Sequence, residues 1–168
     1  MSERSAAMLD SLTFGKPTKF DGKKMWTLVK ESTLDLNSAY KYLMMAEYFS
    51  ETCVIVKEKD DVVGFITGFI EPDAPDTVFV WQIGVAPSQQ GKGLASKMLS
   101  ELITRPACRD VRYVEATVTA DNEASKALFT RFAKKNGMDL NVFETFPEDA
   151  FPDGHDAEFT YRIGPISE

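Results

Sequence analysis

The chain has 168 residues, 43% hydrophobic and 27% charged, a profile that suits one soluble domain able to bury a core without disulfides or metal. Its net charge of −7 argues against a nucleic-acid partner, because neutralising phosphates takes a basic face. No apolar run approaches the ~20 residues that span a bilayer, and the first twenty residues lack a signal-type apolar stretch, so a cytoplasmic address with no membrane partner is expected.

Residues 1–22 are polar and marked by Gly and Pro, which predicts a loose N-terminal arm ahead of a domain over residues 23–168. "MWTLVKES", from Met25 to Ser32, alternates well enough for a first strand. Asn37 or Ser38 caps the helix that follows, in which Tyr40, Leu43, Met44 and Glu47 recur at helical spacing. "TCVIVKE" and "VVGFITGFI" read as two strands of a hairpin, split by a polar "KDD" turn. Cys53 and Cys108 both sit beside apolar sequence and read as buried free thiols.

"DTVFVWQIGV" is the next strand, with Thr77, Phe79, Trp81, Ile83 and Val85 on one face. After a glycine turn comes a helix with Leu94, Met98, Leu99, Leu102 and Ile103 on one side. "VRYVEATVT" is a strand, and "NEASKALFTRFAKKNG" a helix capped by Asp121 or Asn122 and stopped at Asn136-Gly137. "LNVFETF", an irregular acidic loop and the strand "AEFTYRI" close the chain. This order predicts an α/β fold: a mixed, mostly antiparallel central sheet flanked by helices.

The glycine turn Gln90-Gly91-Lys92-Gly93-Leu94-Ala95 sits between a strand and an apolar helix, a setting suited to phosphate. A Walker loop is excluded, because Lys92 is followed by Gly93 where a Ser or Thr must hold magnesium. A dinucleotide fingerprint fails on context, because hairpin strands precede the turn instead of a strand–helix–strand unit. The spacing fits the acyl-CoA loop Gln/Arg-x-x-Gly-x-Gly/Ala, whose backbone N–H groups and helix N-terminus face a pyrophosphate. The plainer alternative is a glycine-rich turn before a core helix.

A second element follows one strand later. Asn122, Ser125, Leu128 and Phe129 match Asn-x-x-small-x-x-Leu-aromatic. With both elements at this separation, the chain from about Met25 onward resembles the GCN5-related N-acetyltransferase superfamily. The resemblance implies acetyl-CoA as co-substrate and a splayed strand pair that holds it. Backbone from Ile83 to Val85 would pair with pantetheine, and the loop residues Gln90, Gly91, Lys92, Gly93, Leu94 and Ala95, with Asn122 and Phe129, would line the acetyl-CoA site. One residue departs from the pattern. Phe129 stands where the superfamily often has a Tyr that protonates the leaving thiolate, so another group or water must serve.

Three stretches narrow the resemblance: "LDLNSAYKYLM", "FVWQIGVAPSQQGKGLASKML" and "GHDAEFTYRI". They are similar to members that acetylate L-2,4-diaminobutyrate, the step before ectoine synthase in ectoine biosynthesis. That resemblance implies a homodimer and acetylation of the 4-amino group. The residues suit a small cation. From Asn136 to Tyr161 there is no Lys or Arg, while Asp139, Glu144, Glu148, Asp149, Asp153, Asp156 and Glu158 fall there. A solvated acidic surface is the alternative explanation.

Asp35 and Glu158 are the candidate ammonium partners, and Tyr40, Trp81 and His155 could supply donors or aromatic walls. Each has a plainer role available: Asp35 as a helix cap, Trp81 as a core residue, His155 as a loop residue. Glu158 is the first candidate for the general base and His155 the second, with Tyr40 also a catalytic candidate. Glu158 and His155 can serve one pocket only if His155 lies in the turn before the strand. A backbone N–H near Val85 is expected to stabilise the oxyanion. A single histidine forms no histidine metal cluster, so no metal is expected. The rival readings are acetylation of a polyamine, an aminoglycoside or a protein N-terminus, and a non-catalytic acyl-CoA-binding module.

Overall fold

Thr18 and Asp21 satisfy each other's backbone at the entrance to the first helix. In the computed structural model, which describes residues 11–167, the Thr18 hydroxyl accepts from the Phe20 N–H. The Asp21 carboxylate accepts from the Thr18 N–H at 2.8 Å. A short 3-10 turn (Lys19–Asp21) then runs into helix α1 (Gly22–Lys30), whose buried stripe is Gly22, Met25 and Val29. The strand expected from Met25 to Ser32 is therefore a helix up to Lys30. So short a window does not separate a period of two from one of about 3.6, and the capping pair upstream decides it.

Asp21 is buried, with Lys57 Nζ at 2.8 Å. Burial acts to raise its pKa, but the Lys57 hydrogen bond and charge and the Thr18 N–H outweigh it and hold the carboxyl below its ordinary value. Strand β1 (Leu12–Gly15) pairs antiparallel with β2 (Val54–Glu58). Buried Arg105 donates to the Gly15 carbonyl at 2.9 Å and to the Cys53 carbonyl at 3.0 Å. Residues 11–22, expected as part of a loose arm, are thus tied into the fold. Residues 1–10 of that expected arm lie outside the described residues.

The chain forms two compact units. The first comprises the residues up to Phe69 and Gln82–Arg109. It holds β1, β2, most of β3 (Asp61–Glu71), the end of β4 (Ala74–Val85), and helices α1, α2 (Ala39–Tyr48) and α3 (Leu94–Ile103). β2 and β3 form the expected hairpin, turning at Lys59 in the left-handed region. Met25, Val29, Tyr42, Ile55 and Phe65 make one core cluster of this unit, with the Tyr42 and Phe65 rings edge to face at 5.9 Å.

α2 begins after Ser38, as expected, but buries Lys41, Tyr42, Met45 and Ala46. The stripe anticipated from Tyr40, Leu43, Met44 and Glu47 faces the other way: Tyr40 is 67% exposed and Leu43 38%. Both rows of this helix carry apolar residues, so periodicity alone does not choose between them.

The second unit comprises Ile70–Trp81 and the residues from Asp110 onward. The start of β4 pairs in parallel with β5 (Tyr113–Thr119) over Thr77–Phe79. β7 (Glu158–Gly164) lies antiparallel to both β5 and β6 (Asp139–Phe146). Helix α4 (Glu123–Lys135) packs on β6 and β7 and buries Phe129, Phe132 and Ala133. The hydrogen-bonded order β1-β2-β3-β4-β5-β7-β6 makes a seven-stranded, mostly antiparallel sheet with flanking helices, the α/β class anticipated.

One charged cluster in the second unit makes stability depend on pH. Arg162 donates to Glu115 at 2.7 Å, and its guanidinium lies 3.7 Å from the Tyr113 ring centroid. Glu71 hydrogen-bonds Glu115. Burial, then that bond and the Glu115 charge, with Asp76 adding and Arg162 opposing, push the Glu71 pKa up to about 7. A carboxyl whose folded pKa exceeds its unfolded value of 4.5 contributes fully below about 4.5 and loses that contribution as pH rises through about 7. Glu71→Gln supplies a donor to Glu115 at every pH. It should raise the melting temperature by about 2–4 °C at pH 8.5 and change it little at pH 5. Thermal melts at the two pH values check this; an equal difference at both would rule out the shared proton.

Candidate active site

Gly91 and Gly93 both hold φ at +77°, in the left-handed region where an L side chain is strained. Gly93 is the N-cap of α3 and brings no side chain to cap it. The first N–H groups of the helix, from Leu94 on, therefore have no partner within the helix. They point the positive end of the helix dipole out of the loop, the arrangement that receives a phosphate. A Cβ added at either glycine would meet no atom within 4 Å. The loop's root is fixed by Gln89, which is 3% exposed and donates to Glu58 at 3.1 Å. The Ala86 N–H adds a bond to the Val63 carbonyl at 2.8 Å. Gln90, Gly91, Lys92 and Gly93 are exposed, Leu94 is buried and Ala95 half-buried. Ile83 and Val85 lie on the last turn of the pleat of β4, which runs to Val85 beyond the ladder that ends at Phe79.

In the second unit Asn122 caps α4, accepting from the Ser125 N–H at 3.1 Å. Two residues of the sequence motif are thus a cap and the residue it caps. Phe129 is 4% exposed, its ring centroid 6.4 Å from that of Tyr161. Tyr161 also lines a cavity of about 180 Å³ with Val118, Thr119, Ala120, Lys126, Val142 and Phe159. Sequence reasoning did not single out Tyr161; its strand alternation with Phe159 and Ile163 was the available signal.

Asp35 and Trp81 do not take the plainer roles open to them, whereas His155 is a loop residue. Asp35 is exposed and lies three residues before Ser38, the N-cap of α2, so it is not the cap. Its backbone carbonyl accepts from Gln82 Nε2 at 2.8 Å. Trp81 is 48% exposed and is not a core residue. His155 lies in the loop before β7, the condition for sharing a side with Glu158. Its Nδ1 is 2.6 Å from the Asp156 carbonyl, so Nδ1 carries the hydrogen and Nε2 of the neutral ring holds the free lone pair. The ring stacks on Phe151 at 3.9 Å. Glu158 is half-buried and opens β7 opposite Thr119. Asp35 and Tyr40 belong to the first unit, and Trp81, His155 and Glu158 to the second.

Both cysteines are buried free thiols, and burial pushes each pKa up to about 11, which keeps them protonated and unreactive. Among the described residues no group of three or more His, Cys, Asp or Glu side chains is placed to hold a metal ion. No helix among them is long and apolar enough to cross a membrane.

Comparison with known proteins agrees with this geometry. The model of the acetyltransferase (GNAT) family matches residues 23–133. An L-2,4-diaminobutyric acid acetyltransferase of Marinococcus halophilus is 57% identical over 161 residues, covering 95% of this chain and 94% of its own. The enzyme of the same name from Halalkalibacterium halodurans is 59% identical over 157 residues, covering 93% and 83%. Among solved structures, the diaminobutyrate acetyltransferase of Paenibacillus lautus, in complex with its substrate L-2,4-diaminobutyric acid and coenzyme A, superposes with a TM-score of 0.88. It is 38% identical and covers 94% of this chain and 96% of its own. With this similarity running nearly end to end, the chain belongs to the GNAT acetyltransferase family and, within it, to the L-2,4-diaminobutyric acid acetyltransferases.

Proposed function

We infer that this chain transfers the acetyl group of acetyl-CoA to the 4-amino group of L-2,4-diaminobutyrate, the step before ectoine synthase. The observation that carries the reading is identity of 57% across 95% of the chain to an L-2,4-diaminobutyric acid acetyltransferase. The exposed left-handed glycine loop supports it from the acetyl-CoA side. A homodimer in the cytoplasm, acting on small molecules and not on nucleic acid or membranes, completes the reading. The net charge of −7 suits a cationic substrate.

The amine must lose a proton before it attacks. An alkyl ammonium with a pKa of about 10 is neutral in roughly one molecule in a thousand at pH 7. Glu158 takes that proton, with His155 Nε2 as the second acceptor. The amine nitrogen then bonds to the thioester carbon, the carbon–sulfur bond breaks, and the proton that the nitrogen sheds on becoming an amide passes through water to the leaving thiolate. Asp35 balances the positive charge of the substrate, and Tyr40 and Trp81 border it. The N–H groups at the start of α3 hold the pyrophosphate of acetyl-CoA, and a backbone N–H near Val85 stabilises the oxyanion.

Gly93→Val tests the loop. The site has room for the side chain but not the backbone angle for it, so the cost falls on the turn. Calorimetry on the folded variant should find acetyl-CoA bound about tenfold more weakly or worse; unchanged affinity would remove the loop from the site.

Glu158→Gln tests the base. The amide keeps the shape and one acceptor but takes up no proton at neutral pH. Turnover at pH 7 should fall about 10²-fold or more, and the loss should shrink as pH rises toward the pKa of the amine. A role in ammonium binding alone would raise KM and keep turnover at saturation. A pH profile of kcat and kcat/KM separates the two.

A further inference from the structure

The first unit holds a partly buried polar network that the chemistry above does not use. Gln82 sits on β4 in an otherwise apolar run, and its side-chain amide makes three bonds. Oε1 accepts from the Tyr42 hydroxyl at 2.7 Å and from Lys41 Nζ at 3.2 Å. Nε2 donates to the Asp35 carbonyl at 2.8 Å. Lys41 and Tyr42 are both buried on α2, and the ammonium also lies 5.0 Å from the Tyr42 ring centroid. The Tyr42 hydroxyl hydrogen-bonds Asn37 as well. One amide and one hydroxyl thus hold two residues, Asp35 and Asn37, of the loop between α1 and α2.

We propose that Gln82 is a positioning residue for the acceptor amine, acting by anchoring the backbone of Asp35 to β4. The proposal rests on the reading of Asp35 as an ammonium partner. Only one orientation of the amide satisfies the network. An ammonium can only donate, so it requires Oε1; a carbonyl can only accept, so it requires Nε2. Rotating the amide by a half turn would set an NH2 against Lys41 and an oxygen against the Asp35 carbonyl. Lys41 therefore helps fix which way Gln82 points. Burial lowers its pKa to about 8, partly offset by Cys53. Tyr42 is fully buried and fixed edge to face against Phe65. The exposed carboxylate of Asp35 is thereby carried on backbone held from a rigid strand and helix. The loop's ordering entropy is spent on folding and not on each binding event.

Gln82→Glu isolates the anchor. The carboxylate still accepts from Tyr42 and gains an ion pair with Lys41, so the fold is kept. It has no donor for the Asp35 carbonyl and sets an oxygen against it. KM for diaminobutyrate should rise about tenfold, the worth of one net hydrogen bond, with kcat within about twofold and acetyl-CoA KM unchanged. Asp35→Ala and the double variant are measured beside it. Because Gln82 acts through Asp35, Gln82→Glu should add little to KM in the Asp35→Ala background.

A further tenfold rise in the double variant would overturn the proposal, as would a wild-type KM for Gln82→Glu alone. If Asp35→Ala leaves KM unchanged, the reading of Asp35 fails, and the proposal with it. Should Gln82→Glu not fold, Tyr42→Phe decides: it removes one bond that orients the amide and keeps the ring packing. It should raise KM for diaminobutyrate severalfold; an unchanged KM would contradict the proposal.

Discussion

Two residues held at φ +77° either side of Lys92 decide what the start of α3 offers to solvent. With Gly93 as a left-handed N-cap, no side chain fills the end of the helix, and its N–H groups remain for a ligand. Any residue that capped the helix from its own side chain would compete with a phosphate for those donors. The rest of the loop serves the same end. Its root is tied by Gln89 to Glu58 and by Ala86 to Val63, so the exposed portion is short and starts from a fixed place. An open turn on a fixed base gives backbone donors that are both accessible and preorganised.

The acceptor side works by different means. In the proposed reading the acceptor is a cation, and the sequence keeps Lys and Arg out of the stretch from Asn136 to Tyr161. Within that stretch His155 is orientated by a backbone carbonyl and an aromatic stack, and Glu158 begins a strand. One is a nitrogen base held by its loop, the other a carboxylate held by a sheet.

Much of this was legible in the sequence. The β2–β3 hairpin, the glycine loop, α3 and the Asn122 cap all rest on local chemistry: turn residues, left-handed glycines and capping oxygens act within a few positions of themselves. What was not legible depends on partners far along the chain. β1 is only four residues long and is a strand because β2 pairs with it and Arg105 donates to its Gly15 carbonyl. α1 reads as a strand in sequence because its apolar residues fit two periods, and the Thr18–Asp21 pair that settles it reads as loop sequence. On α2 the two possible faces are equally apolar, and the buried one includes a lysine, which no hydropathy pattern would select. Lys41 is tolerated there because Gln82 receives it, forty-one positions away. Phe129 shows the reverse: its motif position was plain, but its burial against Tyr161 is a tertiary fact.

The central claim is acetyl transfer to one nitrogen of one small diamine. The direct measurement is thiol release from acetyl-CoA by the purified chain with L-2,4-diaminobutyrate, spermidine and an N-terminal peptide as separate acceptors, with the product read by NMR. Rapid release with diaminobutyrate, slow release with the other two, and an acetyl group on the 4-nitrogen are expected. Equal rates with all three amines, or acetylation at the 2-nitrogen, would contradict the claim.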